Sequence, residues 1–259
     1  MAKAAFITGG ASGIGLAVAK DLAADGWLVG LADVNTAALA ETKAAIPSAE
    51  TYQMDVRDKA AWETTLAAFG EKSGGRLDFF FNNAGVAVGG PLDVMSEDDI
   101  DRGLSINING MVYGARAAHG LLKATPGSAM IVTSSAAGIS GNAGMSVYSA
   151  GKFAMRGFAE SLNAEWAPEG IYVGSLMPSF IETPLLNKVM PDSNRNVRES
   201  VRGAGLEITP VSEVVKTVRG MLASRKAVHT RVGKTAHRLW FMARWMPGTL
   251  RRLSGKSFK

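Results

Sequence analysis

The chain has 259 residues, of which 47% are hydrophobic and 20% charged, and it contains no cysteine. These values exclude a disulfide-stapled miniprotein, thiol nucleophiles, cysteine zinc sites and iron–sulfur clusters, and they argue against extensive disorder. The charge is uneven, because ten lysines and arginines but no acidic residues follow Ser224, whereas the preceding residues hold 18 basic and 23 acidic side chains.

Short apolar runs alternate with longer helix-like stretches through most of the chain. The predicted strands cover 3–8, 27–32, 51–54, 77–81, 129–133, 171–176 and 227–231. The predicted helices cover 14–24, 36–45, 59–70, 97–123, 147–166 and 211–223. This alternation is typical of a parallel sheet covered by helices on both faces. We therefore expect one α/β domain over residues 1–233, with a doubly wound sheet of about seven strands.

One segment departs from the alternation. Residues 185–210 are polar, contain several arginines and are interrupted by glycines, so we expect an irregular lid over a binding cleft. No apolar run reaches the roughly 18 residues of a membrane span. The first predicted strand begins too early for a signal peptide to precede it, which makes a cytoplasmic location the expectation.

A glycine-rich turn follows the first predicted strand and leads directly into an apolar helix. It spans residues 8–15 and contains Gly9, Ser12, Gly13, Ile14 and Gly15. Glycines allow a backbone to approach a pyrophosphate closely, and the N–H groups at the start of a helix favour its negative charge. Glycine also simply makes turns, so the turn indicates nucleotide binding only together with its strand and helix context.

An acidic residue ends the second predicted strand. Asp33 lies eighteen positions after Gly15, where a carboxylate can accept hydrogen bonds from both hydroxyls of an adenosine ribose. The same carboxylate would repel a 2′-phosphate, and no lysine or arginine lies in the turn or directly after Asp33 to neutralise one. The pattern favours NAD(H) over NADP(H), the alternative being a solvated residue at a strand end.

A tyrosine and a lysine are spaced four residues apart near the start of the fifth predicted helix. This spacing places Tyr148 and Lys152 on one helical face, where an ammonium group would lower the pKa of the phenol towards that of a working acid or base. Considered alone, such a pair is more often an ordinary feature of a helix surface.

Together with the glycine turn, the pair resembles the short-chain dehydrogenase/reductase family, in its compact group of about 250 residues. The resemblance covers nearly the whole chain. Its further motifs are Asp55-Val56, Asn82-Asn83-Ala84-Gly85, Asn107 with Gly110, Ser134-Ser135, and Pro178 with Thr183. Ser179 departs from the family, which usually has glycine there. The resemblance implies a single-domain Rossmann fold.

The resemblance also implies catalytic roles. Tyr148 would exchange a proton with the substrate oxygen, and Ser135 would hydrogen-bond the same oxygen. Lys152 would hold the nicotinamide ribose and lower the pKa of Tyr148, while Asn107 would hold a water molecule in a proton relay. Ser134 competes with Ser135, but the thirteen-residue offset to Tyr148 favours Ser135.

The cofactor contacts follow from the same resemblance. The residues concerned are Asp55 and Val56 at the adenine, Asn83, Ala84 and Gly85 along the ribose, and Ile181 and Thr183 at the carboxamide. The implied activity is NAD(H)-dependent interconversion of an alcohol and a ketone by a homodimer or homotetramer. The competing hypothesis is a catalytically silent NAD(H)-binding scaffold or sensor that docks through its basic end.

Strand ends suggest the walls of the substrate cleft. The candidates are Val86, Ala87, Val88, Ala136, Ile139, Met145 and Met177, with Leu185 and Leu186 at the start of the lid. None of them is charged, which favours a hydrophobic secondary alcohol or ketone. The three histidines show no paired ligand spacing, so no metal site is predicted.

Residues 234–259 form a basic extension in which aromatic and aliphatic side chains alternate with arginines. Three interpretations remain open. The apolar stripe could pack on the body or on a neighbouring subunit, the segment could lie as an amphipathic helix on anionic lipid with Trp240 and Trp245 at headgroup level, or the charge could bind nucleic acid. No recognised nucleic-acid motif accompanies the charge.

Overall fold

The computed structural model describes residues 2–187 and 196–254. Seven parallel strands form one sheet in the order β3-β2-β1-β4-β5-β6-β7. The strands are β1 (Ala4–Thr8), β2 (Leu28–Asp33), β3 (Glu50–Gln53), β4 (Phe79–Asn82), β5 (Ala129–Thr133), β6 (Tyr172–Pro178) and β7 (His229–Val232). The strand order reverses between β1 and β4, so a crevice is expected at the carboxyl ends of these strands.

Ten α-helices are found in the described part of the chain. They are α1 (Gly13–Ala24), α2 (Thr36–Ala45), α3 (Lys59–Ser73), α4 (Glu97–Leu104), α5 (Met111–Ala124), α6 (Ser146–Trp166), α7 (Val197–Gly203), α8 (Val211–Ser224), α9 (Lys234–Trp245) and α10 (Pro247–Ser254). The expected doubly wound single domain is confirmed, with strand ends within a few residues of the predicted ones.

The sheet separates two hydrophobic cores. On β4, Phe80 packs into the core that contains Phe6, Trp62 and Phe69, whereas Phe79 packs into the core on the opposite face. Successive side chains of a strand point to opposite faces, so a strand covered by helices on both sides must be apolar throughout. This requirement explains the continuous apolar runs of the central strands.

The predicted long helix over 97–123 is interrupted. Between α4 and α5 the chain forms a π-helical turn, Ser105–Gly110, which was not predicted. The wider turn accommodates two close contacts. The Asn107 side chain bonds the backbone of Val86, and Gly110 packs so tightly on Val56 that a Cβ at Gly110 would lie 2.7 Å from a Val56 methyl group.

The segment predicted to be irregular contains regular structure. A 3₁₀ turn covers Pro184–Asn187, and α7 begins at Val197 behind a capping box formed by Asn196 and Glu199. The rest of the predicted lid, residues 188–195, lies outside the described residues.

Helix α9 packs on the body through one face. Ala236, Leu239, Trp240 and Ala243 contact a small apolar cluster that includes Ile139 on the body. Two guanidinium groups flank the Trp240 ring, Arg156 at 4.9 Å and Arg231 at 5.0 Å from its centroid. Packing on the body is therefore observed for this face.

Among the helices of the described ranges, none combines the length and hydrophobicity required to cross a membrane.

Candidate functional site

The glycine turn lies between the carboxyl end of β1 and the start of α1. Gly9 and Gly13 adopt left-handed backbone angles, with φ of 63° and 53°. A Cβ atom on Gly15 would lie 2.2 Å from the Gly9 carbonyl oxygen, far closer than any side chain can come. Only glycine permits this close turn, and it leaves N–H groups at the start of α1 free to meet an anion.

Two threonines that the sequence analysis did not single out join the turn to the neighbouring strands. The Thr8 hydroxyl accepts hydrogen bonds from the backbone N–H groups of Asn83 (2.9 Å) and Ala84 (3.0 Å). The Asn83 amide donates to the Thr8 carbonyl and accepts from the Thr133 hydroxyl, each at 3.0 Å. Thr8 and Thr133 end β1 and β5, and that shared position is the signal that could have identified them.

Asp33 lies beside the glycine turn at the carboxyl end of β2. One of its carboxylate oxygens accepts the Ala11 N–H at 3.2 Å, and the other accepts the Asn35 N–H at 3.1 Å. Asp33 therefore also stabilises the turn, in addition to offering lone pairs that a ribose could use.

Asp55 and Val56 follow β3, the strand next to β2. The Arg57 guanidinium hydrogen-bonds the Asp55 carboxylate at 2.6 Å and holds the pKa of that carboxyl below its usual value. Val56 is buried, and its carbonyl accepts the Trp62 indole N–H at 2.9 Å. Both residues thus lie on the Asp33 side of the sheet, and the Asp55 carboxylate is paired with Arg57.

Lys152 is buried at the centre of the site. Its ammonium group donates to the Thr133 carbonyl at 2.9 Å, and burial lowers its pKa to about 8. A Cβ atom on Gly85 would lie 3.2 Å from the Lys152 nitrogen and 2.9 Å from the Asn107 amide oxygen. The structure therefore brings Gly85, Asn107 and Lys152 together.

Tyr148 and Ser135 face each other across the same cleft. Burial raises the pKa of Tyr148, and a hydrogen bond with the Ser135 side chain acts in the opposite direction. The Lys152 nitrogen lies 5.6 Å from the centroid of the Tyr148 ring. Burial is the main cause of this direction, and the ammonium group is directed to the Thr133 carbonyl, so the expected lowering of the Tyr148 pKa by Lys152 stays a prediction.

The two adjacent serines are used differently. The buried Ser134 hydroxyl donates to the Lys152 carbonyl at 2.7 Å and so anchors α6. The Ser135 hydroxyl accepts the Ala137 N–H at 3.1 Å and is the one that reaches Tyr148. The structure places Ser135, not Ser134, beside the phenol.

Both polar atoms of the Asn107 side-chain amide are occupied. The amide nitrogen donates to the Val86 carbonyl at 2.8 Å, and the amide oxygen accepts the Val86 N–H at 3.0 Å. The amide retains a second N–H and a second lone pair, so a water molecule in the expected relay could bind this side chain or the main chain of the π-helical turn, a type of turn that is frequent at functional sites.

The loop after β6 passes close to the glycine turn. A Cβ atom on Gly13 would lie 3.5 Å from the methyl group of Thr183, whose hydroxyl donates to the Ile181 carbonyl at 3.2 Å. Ile181 is buried and forms a bridge with Thr209. Ser179, in the position where the family usually has glycine, has a buried hydroxyl with no hydrogen-bond partner in the described structure.

The predicted cleft walls are only partly correct. Val86, Ala87 and Met145 are partly accessible. Val88 is buried against Gly103, and Met177 is fully buried in the α9 cluster. These two side chains do not line an open cleft, because their strand and loop positions turn them inward. Leu185 is exposed, whereas Leu186 is buried.

In the ranges 2–187 and 196–254, no group of three or more histidine, aspartate or glutamate side chains is arranged to hold a metal ion. The ionisable groups that meet at the carboxyl ends of β4 and β5 are a phenol and an amine. Such a pair can move a proton and orient hydroxyl groups.

Comparison with known proteins gives consistent matches. The family model for short chain dehydrogenases matches residues 3–194. Levodione reductase of Leifsonia aquatica is 35% identical over 206 residues, which cover 75% of this chain and 76% of the relative. The 2-dehydro-3-deoxy-L-rhamnonate dehydrogenase (NAD(+)) of Sphingomonas sp. (strain SKA58) is 34% identical, covering 72% of this chain and 75% of the relative.

Solved structures resemble the fold as well. A crystal structure of levodione reductase superimposes with a TM-score of 0.81 at 26% identity, covering 94% of this chain and 98% of that one.

Proposed function

The chain belongs to the short-chain dehydrogenase family, and on that premise we propose that it interconverts a secondary alcohol and a ketone with NAD(H), using Ser135, Tyr148, Lys152 and Asn107. Membership makes it an oxidoreductase that acts on CH–OH groups. One observation carries the assignment of residues. The Lys152 ammonium nitrogen lies 5.6 Å from the centroid of the Tyr148 ring and donates to the carbonyl of Thr133, two residues before Ser135. Thr133 ends β5, and its hydroxyl bonds Asn83, which contacts the glycine turn.

The residues around the glycine turn fit NAD(H). The backbone of the turn can approach a pyrophosphate closely because Gly9, Gly13 and Gly15 have no Cβ atom. The Asp33 carboxylate offers hydrogen-bond acceptors to the hydroxyls of the adenosine ribose. The relative from Sphingomonas has NAD(+) in its name. When bound, NAD(H) supplies or accepts the hydride.

Tyr148 moves the proton. In the oxidation direction its phenolate oxygen accepts the proton of the substrate hydroxyl, and in the reduction direction the phenol returns it to the carbonyl oxygen. The Ser135 hydroxyl donates a hydrogen bond to the same oxygen and so stabilises the negative charge that develops there. The hydrogen bond between Ser135 and Tyr148 supports this arrangement, because one substrate oxygen can lie within reach of both groups.

Lys152 and Asn107 support the proton transfer. The Lys152 ammonium group can hydrogen-bond the hydroxyls of the nicotinamide ribose, and its charge favours ionisation of Tyr148 once that charge is held there. Asn107 fixes the loop at Val86 with two hydrogen bonds, and its main chain can hold the water molecule that connects Lys152 to solvent.

We infer a mostly apolar substrate. The side chains predicted for the cleft wall that are partly accessible, Val86, Ala87 and Met145, carry no charge. Levodione reductase, as its name states, reduces levodione.

Assembly and location stay predictions. The family resemblance implies a homodimer or homotetramer, which the mass of the particle in solution would test. The expected cytoplasmic location would be tested by fractionation of cells that produce the chain.

The decisive experiment measures NADH formation with a panel of secondary alcohols, for the wild type and for Tyr148→Phe. We expect the wild type to oxidise at least one apolar alcohol and the variant to lose about 10²- to 10⁴-fold in kcat. NADH binding, followed by its fluorescence, should change little, because the phenol oxygen is the only atom removed.

Two outcomes would contradict the proposal. Full activity of Tyr148→Phe would exclude Tyr148 as the proton-transferring group. A wild type that binds NADH tightly but oxidises no alcohol and reduces no ketone would instead favour the scaffold hypothesis.

A further inference from the structure

The helices α9 and α10 leave one face uncovered. The outer face, as we call it, consists of Phe241, Trp245 and Met246 together with Arg238, Arg244, Arg251 and Arg252. Phe241 is 56% exposed and Trp245 68% exposed, although the opposite side of α9 is packed on the body. The packing of α9 on the body therefore partly buries Trp240 but leaves Phe241 and Trp245 exposed.

The arginines of the outer face are not neutralised by the protein. In the described ranges, no carboxylate lies within ion-pairing distance of any of these four guanidinium groups, and the sequence has no acidic residue after Ser224. Elsewhere in the described ranges, five arginines are paired with carboxylates. These are Arg57, Arg76, Arg102, Arg198 and Arg219. The outer face thus presents unpaired positive charge.

The aromatic residues and the arginines are interleaved. Phe241 and Trp245 are four residues apart on one side of α9, and the Arg244 guanidinium lies 5.8 Å from the centroid of the Trp245 ring. Exposed tryptophan and phenylalanine next to arginine are typical of helices that lie in the headgroup region of a membrane, where the rings enter the acyl boundary and the cations meet phosphates.

We propose that the outer face docks this chain on the surface of an anionic lipid bilayer. Phe241 and Trp245 enter the headgroup region, and the arginines bind lipid phosphates. In this arrangement the helices lie along the membrane surface, so no spanning helix is required. The proposal does not depend on the identity of the substrate.

A second copy of the chain is the main competing occupant, because the residues before Arg225 carry a net negative charge. Many of its carboxylates are already engaged. Those paired with basic side chains of their own chain are Asp21, Asp25, Asp55, Asp78, Asp99, Glu160, Glu169, Glu182 and Glu207. A lipid surface, in contrast, offers phosphates that need not break an existing ion pair.

The test is flotation of the full chain with vesicles of phosphatidylcholine alone and of phosphatidylcholine mixed with phosphatidylglycerol. We expect binding to the anionic vesicles that decreases with salt, and much weaker binding to the neutral ones. Phe241→Ser/Trp245→Ser should reduce partitioning about a hundredfold, because both side chains lose their burial in the boundary. Arg251→Glu/Arg252→Glu should reduce it at least about 25-fold, since each charge contributes about fivefold.

Matched variants control for exposure and charge. Leu92→Ser/Val94→Ser removes two apolar side chains that are 56% and 73% exposed, and Lys20→Glu/Lys216→Glu makes the same charge change on α1 and α8. Leu92→Ser/Val94→Ser should bind vesicles like the wild type. Lys20→Glu/Lys216→Glu should lose much less vesicle binding than Arg251→Glu/Arg252→Glu. Unchanged circular dichroism would show that the outer-face variants are folded, as expected for exposed positions.

Several results would overturn the proposal. They are equal binding to neutral and anionic vesicles, no binding to either, or wild-type binding by Phe241→Ser/Trp245→Ser. A fall in particle mass caused by that variant, without vesicle binding by the wild type, would assign the outer face to a second copy. Binding to a DNA duplex without vesicle binding would assign it to nucleic acid.

Discussion

The glycine turn and the catalytic cluster meet at one end of the sheet, but they are built differently. The turn consists of consecutive residues, 8–15, and its shape depends on backbone angles that only glycine adopts easily. The cluster joins Asn107 from the π-helical turn, Ser135 from the loop after β5, and Tyr148 and Lys152 from α6. Its properties depend on burial and on hydrogen bonds to backbone carbonyls. Substitutions in the turn should therefore act through steric clash, whereas substitutions in the cluster should act by changing protonation.

The largest expected effect comes from a methyl group in the turn. Gly15→Ala places a Cβ atom 2.2 Å from the Gly9 carbonyl oxygen, so the backbone itself must move. We expect a loss of about 3 kcal/mol in the free energy of unfolding. NADH affinity should fall about a hundredfold, because the phosphate-binding groups are displaced. Urea denaturation and fluorescence titration measure the two effects.

Gly120→Ala is the matched control. Gly120 lies in α5, and a Cβ there would meet no atom within 4 Å. The same substitution should then leave NADH affinity unchanged and stabilise the protein by up to about 1 kcal/mol, because alanine is the better helix former. If Gly15→Ala behaved like this control, the steric account of the turn would be wrong.

The cluster can be tested through the protonation of Lys152. Burial depresses its pKa from 10.5 to about 8, so between these values the unfolded chain binds a proton that the folded chain does not. The free energy of unfolding should therefore rise with pH in this window. Relative to Lys152→Met, the wild type should gain about 2 to 3 kcal/mol between about pH 7 and pH 10. Urea denaturation of both proteins without cofactor gives the difference.

The opposite result would also be informative. A difference between wild type and Lys152→Met that stays constant over this range would mean that Lys152 remains charged in the folded protein. An ionised Tyr148 beside it would then be the explanation, as the sequence analysis expected, and the protonation described for the structure would be wrong.

The smallest expected effect concerns the choice of cofactor. Asp33→Asn keeps an oxygen that can accept the Ala11 N–H, but it removes the charge. NADH affinity should fall about tenfold because charge-assisted hydrogen bonds are lost, and the preference for NADH over NADPH should shrink. Asp58→Asn, at the cap of α3, is the control and should change neither affinity. Wild-type protein that binds NADPH more tightly than NADH would refute the assignment of Asp33.

The same contrast explains what could be predicted from the sequence. The strands, their parallel order and the glycine turn are encoded by local patterns, namely apolar runs and consecutive glycines, and these were identified correctly. The interruption of the helix at Ser105–Gly110 was missed because it depends on contacts with Val56 and Val86, which are distant in sequence. The effect of burial on the pKa of Tyr148 was not foreseen, because spacing along a helix does not reveal burial.

Single side chains were the most difficult to place. Met177 and Val88 were expected in the cleft wall, but a position near a strand end does not show to which side a side chain points. Thr8 and Thr133 were overlooked because a threonine in a strand is unremarkable until its hydroxyl is seen to bond a neighbouring loop. The roles of the predicted site residues stay predictions until the variants are measured.

The packing of α9 against Ile139 has a consequence for the order in which the protein is made. The turn that carries Ser135 is bordered by residues 236–243, which leave the ribosome more than 90 positions after it. The glycine turn and β1, β2 and β4 can pair much earlier during synthesis. A nascent chain can therefore form the part of the sheet that carries the glycine turn first, whereas the surroundings of Ser135 are completed only when synthesis is almost finished.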